Sequence, residues 1–300
     1  MWITGLCDRS ACFKLTITLR STGRWVIHPE FVIYVKKARY ENILKIVKDY
    51  FGGIGTIYYQ NNSAGYRVGS VKDIVNVIIP HFVNYPLLST KISTFTLWSK
   101  AIYLMYNGEH KQDSGRHEIY SIHAAINQGP SKSFKTHFPN WKPAKLPSYS
   151  LNISPEELSN WWVSGYFSMY CNFNVDLNPH GLKNSYYYRV VPSFNFSRNI
   201  VELPLLTLLA SYFGVTVNQR SDNLRVDVNI YKLDKNMDIV DLFESYPLMS
   251  CKQKEFEIWA RIIKDAVKLR RRPCKISLSR YIKHFFDLNE KLVSVRKLNN

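Results

Sequence analysis

Tyrosines and cations recur along this chain at strand spacing. Tyr58, Tyr59 and Tyr66, and later Tyr186, Tyr187 and Tyr188, lie in alternating runs. Near them come Lys14 (beside Leu15), Arg20, Lys36, Lys37, Arg67, Arg189 and Arg225. Successive strand side chains point to opposite faces, so about half of these rings go to a core and half to a surface. A surface ring can stack on an unpaired base or meet a groove edge, and a cation beside it can meet phosphate. The formal charge of +17, from 40 Lys and Arg against 23 Asp and Glu, makes nucleic acid the expected partner. No apolar run reaches the ~18 residues that would span a bilayer, which sets membrane readings aside.

Other chemistry finds less support. The 8 histidines include no HExxH, and His110, His117 and His123 fall in a polar stretch that reads as solvent-facing. The 5 cysteines contain no CxxC pair, so neither a zinc site nor a disulfide framework is indicated. "GGIGT" at 52–56 lacks the Lys-Ser/Thr of a phosphate cradle and leads into a strand, so it reads as a helix end and turn. "KLRRRPCK" at 268–275 is either a solvated helix end or a phosphate contact through Arg270, Arg271 and Arg272.

The elements that must position these residues occur twice. "GLCDRSACF" at 5–13 returns as "GYFSMYCNF" at 165–173, and "DYFGGIG" at 49–55 as "SYFGVTV" at 211–217. Pro86, Lys91 and Trp98 return as Pro247, Lys252 and Trp259. Ordered blocks at one offset mark a tandem duplication. The expected boundaries are 1–138 for the first repeat, 139–155 for a linker rich in Pro and Ser, and 156–300 for the second repeat with a C-terminal helix. Each repeat reads α-β-β-α-β-β-α, with motif helices over about 2–10 and 156–170. Helices on one face of each sheet leave the other face for binding.

The paired Gly-to-Phe frames, the Tyr-Pro-Leu before a lysine-bearing helix and the duplicated order resemble the single-chain LAGLIDADG homing endonucleases and maturases of organellar introns, over Trp2 to about Leu292. The resemblance implies an α+β tandem pseudo-symmetric fold, its two sheets forming a basic saddle. It implies motif helices packed side by side through Gly5, Leu6, Gly165 and Tyr166. It also implies a carboxylate at the base of each helix to hold divalent metal for phosphodiester cleavage. Here those positions are Ser10 and Tyr170, neither acidic, and Asp8 and its counterpart Ser168 lie earlier in the frame. The frame is kept as architecture and the metal pair is lost, so no cofactor is expected, with Mg²⁺ needed only if cleavage persists.

The resulting expectation is a catalytically inactive, monomeric nucleic-acid-binding protein that favours structured RNA over duplex DNA, as an intron maturase or in company with ribosomal or other RNA-particle proteins. Its contacts are expected from Lys14, Arg20, Lys36, Lys37, Tyr58, Tyr59, Arg67, Lys91, Tyr187, Arg189, Arg225, Lys252 and Arg270 to Arg272. The alternatives are a site-specific DNA endonuclease with an atypical metal site, and a decaying reading frame. Abundant Tyr, Asn, Lys and Ile suit an AT-rich organellar genome, hence a mitochondrial location without a transit peptide.

Overall fold

The computed structural model describes residues 1–126, 130–139, 141–182, 185–221, 224–271 and 278–298, without the side chains of 37–40, 179–182, 185–189, 269–271, 278–282 and 298. The chain divides into two compact units between Leu151 and Asn152. In the first, α1 (Trp2–Ser10) leads into β1 (Ala11–Leu19) and β2 (Trp25–Lys36), then α2 (Lys37–Tyr50), β3 (Thr56–Gln60) and β4 (Ser63–Val68). Next, α3 (Val71–Asp73) runs through a π-turn at Ile74–Ile78 into α4 (Ile79–Asn84). Pro80, which can donate no backbone hydrogen bond, accounts for that shift in the ladder. The long helix α5 (Lys91–Tyr106) follows, then α6 (Asp113–Ala125) and α7 (Lys132–His137).

The second unit repeats the order with α8 (Asn160–Phe167), β5 (Asn172–Leu182), β6 (Ser185–Asn199), α9 (Leu203–Tyr212), β7 (Asn218–Gln219), β8 (Arg225–Ile230), α10 (Leu233–Ser245) and α11 (Lys252–Arg271), and adds α12 (Leu278–Leu298). Both sheets are antiparallel and four-stranded, ordered β1-β2-β4-β3 and β5-β6-β8-β7. The second motif helix is shorter than its sequence suggests. It begins at Asn160 after a 3₁₀ turn at Pro155–Glu157 and ends at Phe167. There Ser168 Oγ bonds back to the Ser164 carbonyl at 2.8 Å, competing with the next helical turn.

An aromatic stripe builds each core. Phe13 packs within 5.1–5.6 Å of Phe31, Phe82, Phe95 and Trp98, and Phe173 within 5.0–5.7 Å of Phe194, Phe256 and Trp259. The duplication extends to hydrogen bonds. Trp98 Nε1 donates to the Lys14 carbonyl at 2.8 Å and Trp259 Nε1 to the Asn174 carbonyl at 3.1 Å, each one residue past the motif phenylalanine. Gly52 and Gly214, with φ of 72° and 65°, end the matching helices α2 and α9 in the left-handed conformation expected of them.

His123 departs from the solvent-facing expectation. It is buried on the inner side of α6, with Nδ1 2.7 Å from the Leu15 carbonyl, because α6 packs its apolar face over β1.

Replacing Trp98 or Trp259 with Phe removes that bond from a half-buried carbonyl and should cost about 1–3 kcal/mol each in denaturant unfolding; a loss under ~0.5 kcal/mol would contradict the matched roles. His81, buried between Thr4 and Tyr50 (3.2 and 3.0 Å), has its pKa lowered from 6.5 to about 4 by desolvation. It stays neutral in the fold while the unfolded chain binds a proton below its ordinary value. Stability is therefore fully present above pH ~6.5 and falls by about 3 kcal/mol as the pH drops to ~4. His81→Phe should flatten that part of the stability–pH curve.

Candidate nucleic-acid interface

Strand pairing decides which side chains the first sheet leaves on its open face. Lys14 lies opposite Glu30, Tyr34 opposite Gly65, and Gly65 opposite Tyr58, while Phe13, Phe31, Tyr66 and Val68 take the inner parity. The open face therefore carries Lys14, Glu30, Tyr34, Lys36, Tyr58 and Arg67. All of these but Lys36 form a network across the four strands. Lys14 Nζ donates to Tyr34 Oη at 2.5 Å, and the Tyr34 and Tyr58 rings meet edge to face at 6.2 Å. Arg67 lies over the Tyr58 ring at 5.3 Å and reaches Glu30 at 3.3 Å. Burial, with the Tyr34 contact second, pushes the Tyr58 hydroxyl up and keeps it protonated. Gly65 makes room for the ring, since a Cβ there would sit 2.5 Å from Tyr58 Cζ.

The other expected contacts scatter. Tyr59 has the inner parity; its hydroxyl donates to Glu41 on α2 at 2.7 Å. Arg20 is exposed in the β1–β2 turn. Arg225 reaches Ser197 Oγ at 3.1 Å on the open face of the second sheet. Lys91 Nζ donates to the Cys7 carbonyl at 3.0 Å, so it is anchored to the motif helix. Lys252, its repeat, is 5% exposed and paired at 2.8 Å with the fully buried Glu255, one helical turn on, a geometry that turns it away from phosphate. Lys37, Tyr187, Arg189, Arg270, Arg271 and Arg272 lie outside the residues whose side chains are described. Leu6 and Tyr166 are buried, as are Gly5 and Gly165, each in its own motif helix. Tyr34 was missed by sequence reading, although its two-residue spacing from Lys36 is visible.

The motif positions serve structure. Asp8, fully buried, accepts from the Leu88 and Ser89 amides at 2.9 Å each and from Ser89 Oγ at 2.6 Å, fixing the loop that starts α5. Ser168 makes the matching stitch in the second unit, donating to the Leu248 carbonyl while Ser250 Oγ donates to the Ser168 carbonyl. Ser10 Oγ is turned to the Leu6 carbonyl at 2.6 Å, and Tyr170 stands beyond the end of α8, 46% exposed. A divalent metal of the kind the resemblance implies does not fit: a hydroxyl and a phenol replace the carboxylates, and three donors occupy Asp8. Among the described residues no group of three or more His, Cys, Asp or Glu converges as metal ligands.

Comparison with known proteins agrees with this architecture. The model of the LAGLIDADG endonuclease family matches residues 3–102 and 163–263, one stretch per repeat. A "Probable intron-encoded endonuclease 3" of Neurospora crassa is 28% identical over 87% of this chain and 49% of its own, so the chain spans about half that relative's length. An uncharacterized 50.9 kDa protein in ND4 intron 1 of Podospora anserina is 37% identical over 36% of this chain and 25% of its own. The LAGLIDADG homing endonuclease I-GzeII, solved in complex with its DNA target, is 27% identical over 96% of both chains with a TM-score of 0.84. With the family model matching both repeats, the chain belongs to the LAGLIDADG endonuclease family.

Proposed function

We propose that this chain is an intron-encoded protein of organellar, mitochondrial origin that binds a specific duplex DNA site and no longer cuts it. The observation that carries the binding is the Lys14–Tyr34–Tyr58–Arg67 network, a preformed cationic and aromatic surface on an open sheet face of a protein with charge +17. A two-stranded β-ribbon fits the major groove of B-DNA, where such side chains meet base edges and phosphates. The DNA-bound state of I-GzeII and the endonuclease name of the Neurospora relative favour duplex DNA over the structured RNA expected from the sequence. No feature of the sheet face favours a ribosomal or splicing partner.

The loss of cutting rests on Ser10 and Tyr170, which supply no carboxylate, and on Asp8, whose oxygens already accept three hydrogen bonds. A second reading, a site-specific endonuclease with an unusual metal site, is favoured by the relative's name. Selecting duplexes from a randomised library with the full chain and incubating them with Mg²⁺ or Mn²⁺ decides between the two. Bound and intact duplex is the expected result; discrete breaks would overturn it.

Binding should weaken steeply with salt. Lys14→Ala and Arg67→Ala should each lower affinity and reduce the log–log salt slope by about 0.9 per lost phosphate contact. Unchanged slopes in both variants would remove this face from the interface.

A further inference from the structure

A cleft of about 880 Å³ opens beneath the tip of the β1–β2 hairpin. Strand parity sets its side. Trp25 pairs with Leu19 and Ile27 with Ile17, at the inner parity that Phe31 shares, so the cleft lies on the helical side of the sheet. Its other walls are the end of α5 at Met105, the 3₁₀ turn Glu109–Lys111, the first turns of α6, and Phe138. Those walls fall between residues 102 and 163, outside both stretches that match the family model. The family architecture alone does not build this cleft.

Local geometry brings cations to its rim. The Arg20 amide donates to the Arg24 carbonyl at 2.9 Å, which closes the hairpin and holds the two arginines on either side of the turn. Gly115 lets the 3₁₀ turn seat against α6, since a Cβ there would lie 2.2 Å from the Glu109 carbonyl oxygen, and this seating brings His110 and Lys111 to the cleft. Arg116 is paired with Asp113, the one carboxylate among the described lining residues. Among the described residues Arg20, Arg24 and Lys111 make no side-chain hydrogen bond or ion pair, and the buried Nδ1 of His110 has no partner.

The floor is aromatic. Trp25 and Phe138 meet at 5.5 Å, and Phe138 and Tyr120 at 5.2 Å. Tyr120 is only 6% exposed, and its hydroxyl bonds to no described residue although the side chain lines the cleft. Burial pushes the pKa of that hydroxyl up, so it stays protonated and can donate to an anion. Unpaired cations around a ring-lined floor match a ligand that carries both a phosphate and a flat heterocycle. Guanidinium and ammonium groups bind phosphate oxygens, and aromatic rings stack on bases of any identity. A bare inorganic anion would use the rim and leave the rings uncovered.

We infer that this cleft binds a nucleoside phosphate, its phosphate held by Arg20, Arg24 and Lys111 and its base covering Trp25, Tyr120 and Phe138. The site is separate from the open sheet face and does not depend on the duplex reading above.

The experiment is equilibrium dialysis of the full chain with adenosine 5′-monophosphate, ribose 5-phosphate, adenosine and inorganic phosphate, with photolabelling by 8-azidoadenosine 5′-monophosphate to locate the site. The expected result is saturable binding of the monophosphate, about tenfold or more tighter than of any of the other three, with the label on Trp25, Tyr120 or Phe138. Arg24→Ala and Lys111→Ala, both at exposed positions, should each weaken binding about tenfold or more with an unchanged Tm. Tyr120→Phe keeps the ring and should weaken it about twofold to tenfold. A single-stranded oligonucleotide with a 5′-phosphate separates the two sources of such a ligand: competition at lower concentration than the monophosphate assigns the cleft to an unpaired nucleotide of a strand, and no competition assigns it to the free nucleotide. Absence of saturable binding, ribose 5-phosphate or inorganic phosphate binding as tightly as the monophosphate, or label confined to Tyr34 and Tyr58 of the open face would overturn the inference.

Discussion

The two-residue period of the β-strands, pinned by the aromatic stripe under each sheet, is the constraint on which the molecule depends. Once Phe13, Phe31 and Tyr66 are committed to the inner face, the backbone pairing leaves Lys14, Tyr34, Tyr58 and Arg67 no other side. A one-residue slip would exchange the two sets. Burying the phenylalanines thus orients the open face, and the core stabilises a specific surface as well as a fold.

The motif helices hold their neighbouring loops through side chains at matching positions. Asp8 is held by the loop that starts α5, and Ser168 makes the equivalent contacts in the second unit with neutral partners. A fully buried carboxylate with three donors is well satisfied, and removing it would leave buried donors unpaired. Ser10 Oγ bonds back to its own helix, and Tyr170 is half-exposed.

Much of this was legible in the sequence because the duplicated blocks repeat their glycines, their tryptophans and their Tyr-Pro-Leu turns. The order of elements, the α+β class and the inner strand residues follow from those blocks and from period-2 alternation. Adjacent tyrosines were harder. Tyr58 and Tyr59 differ only in parity, and parity is fixed by pairing with β4 across a turn. Lys252 reads as a surface cation until Glu255, one turn on, draws it inward; Lys91 has Phe95 four residues on and Thr94 at the matching position, and is held by a carbonyl instead. The burial of His123 depends on α6 folding back over β1, which no local pattern encodes.

The most direct test of the open-face account is lysine-reactivity footprinting of the full chain with and without a duplex it selects. Lys14 and Lys36, on the open face of the first sheet, should lose reactivity in the complex, while Lys45 on the exposed side of α2 should keep it. Protection of Lys45 with Lys14 and Lys36 unchanged would put the nucleic acid on the helices and contradict the account.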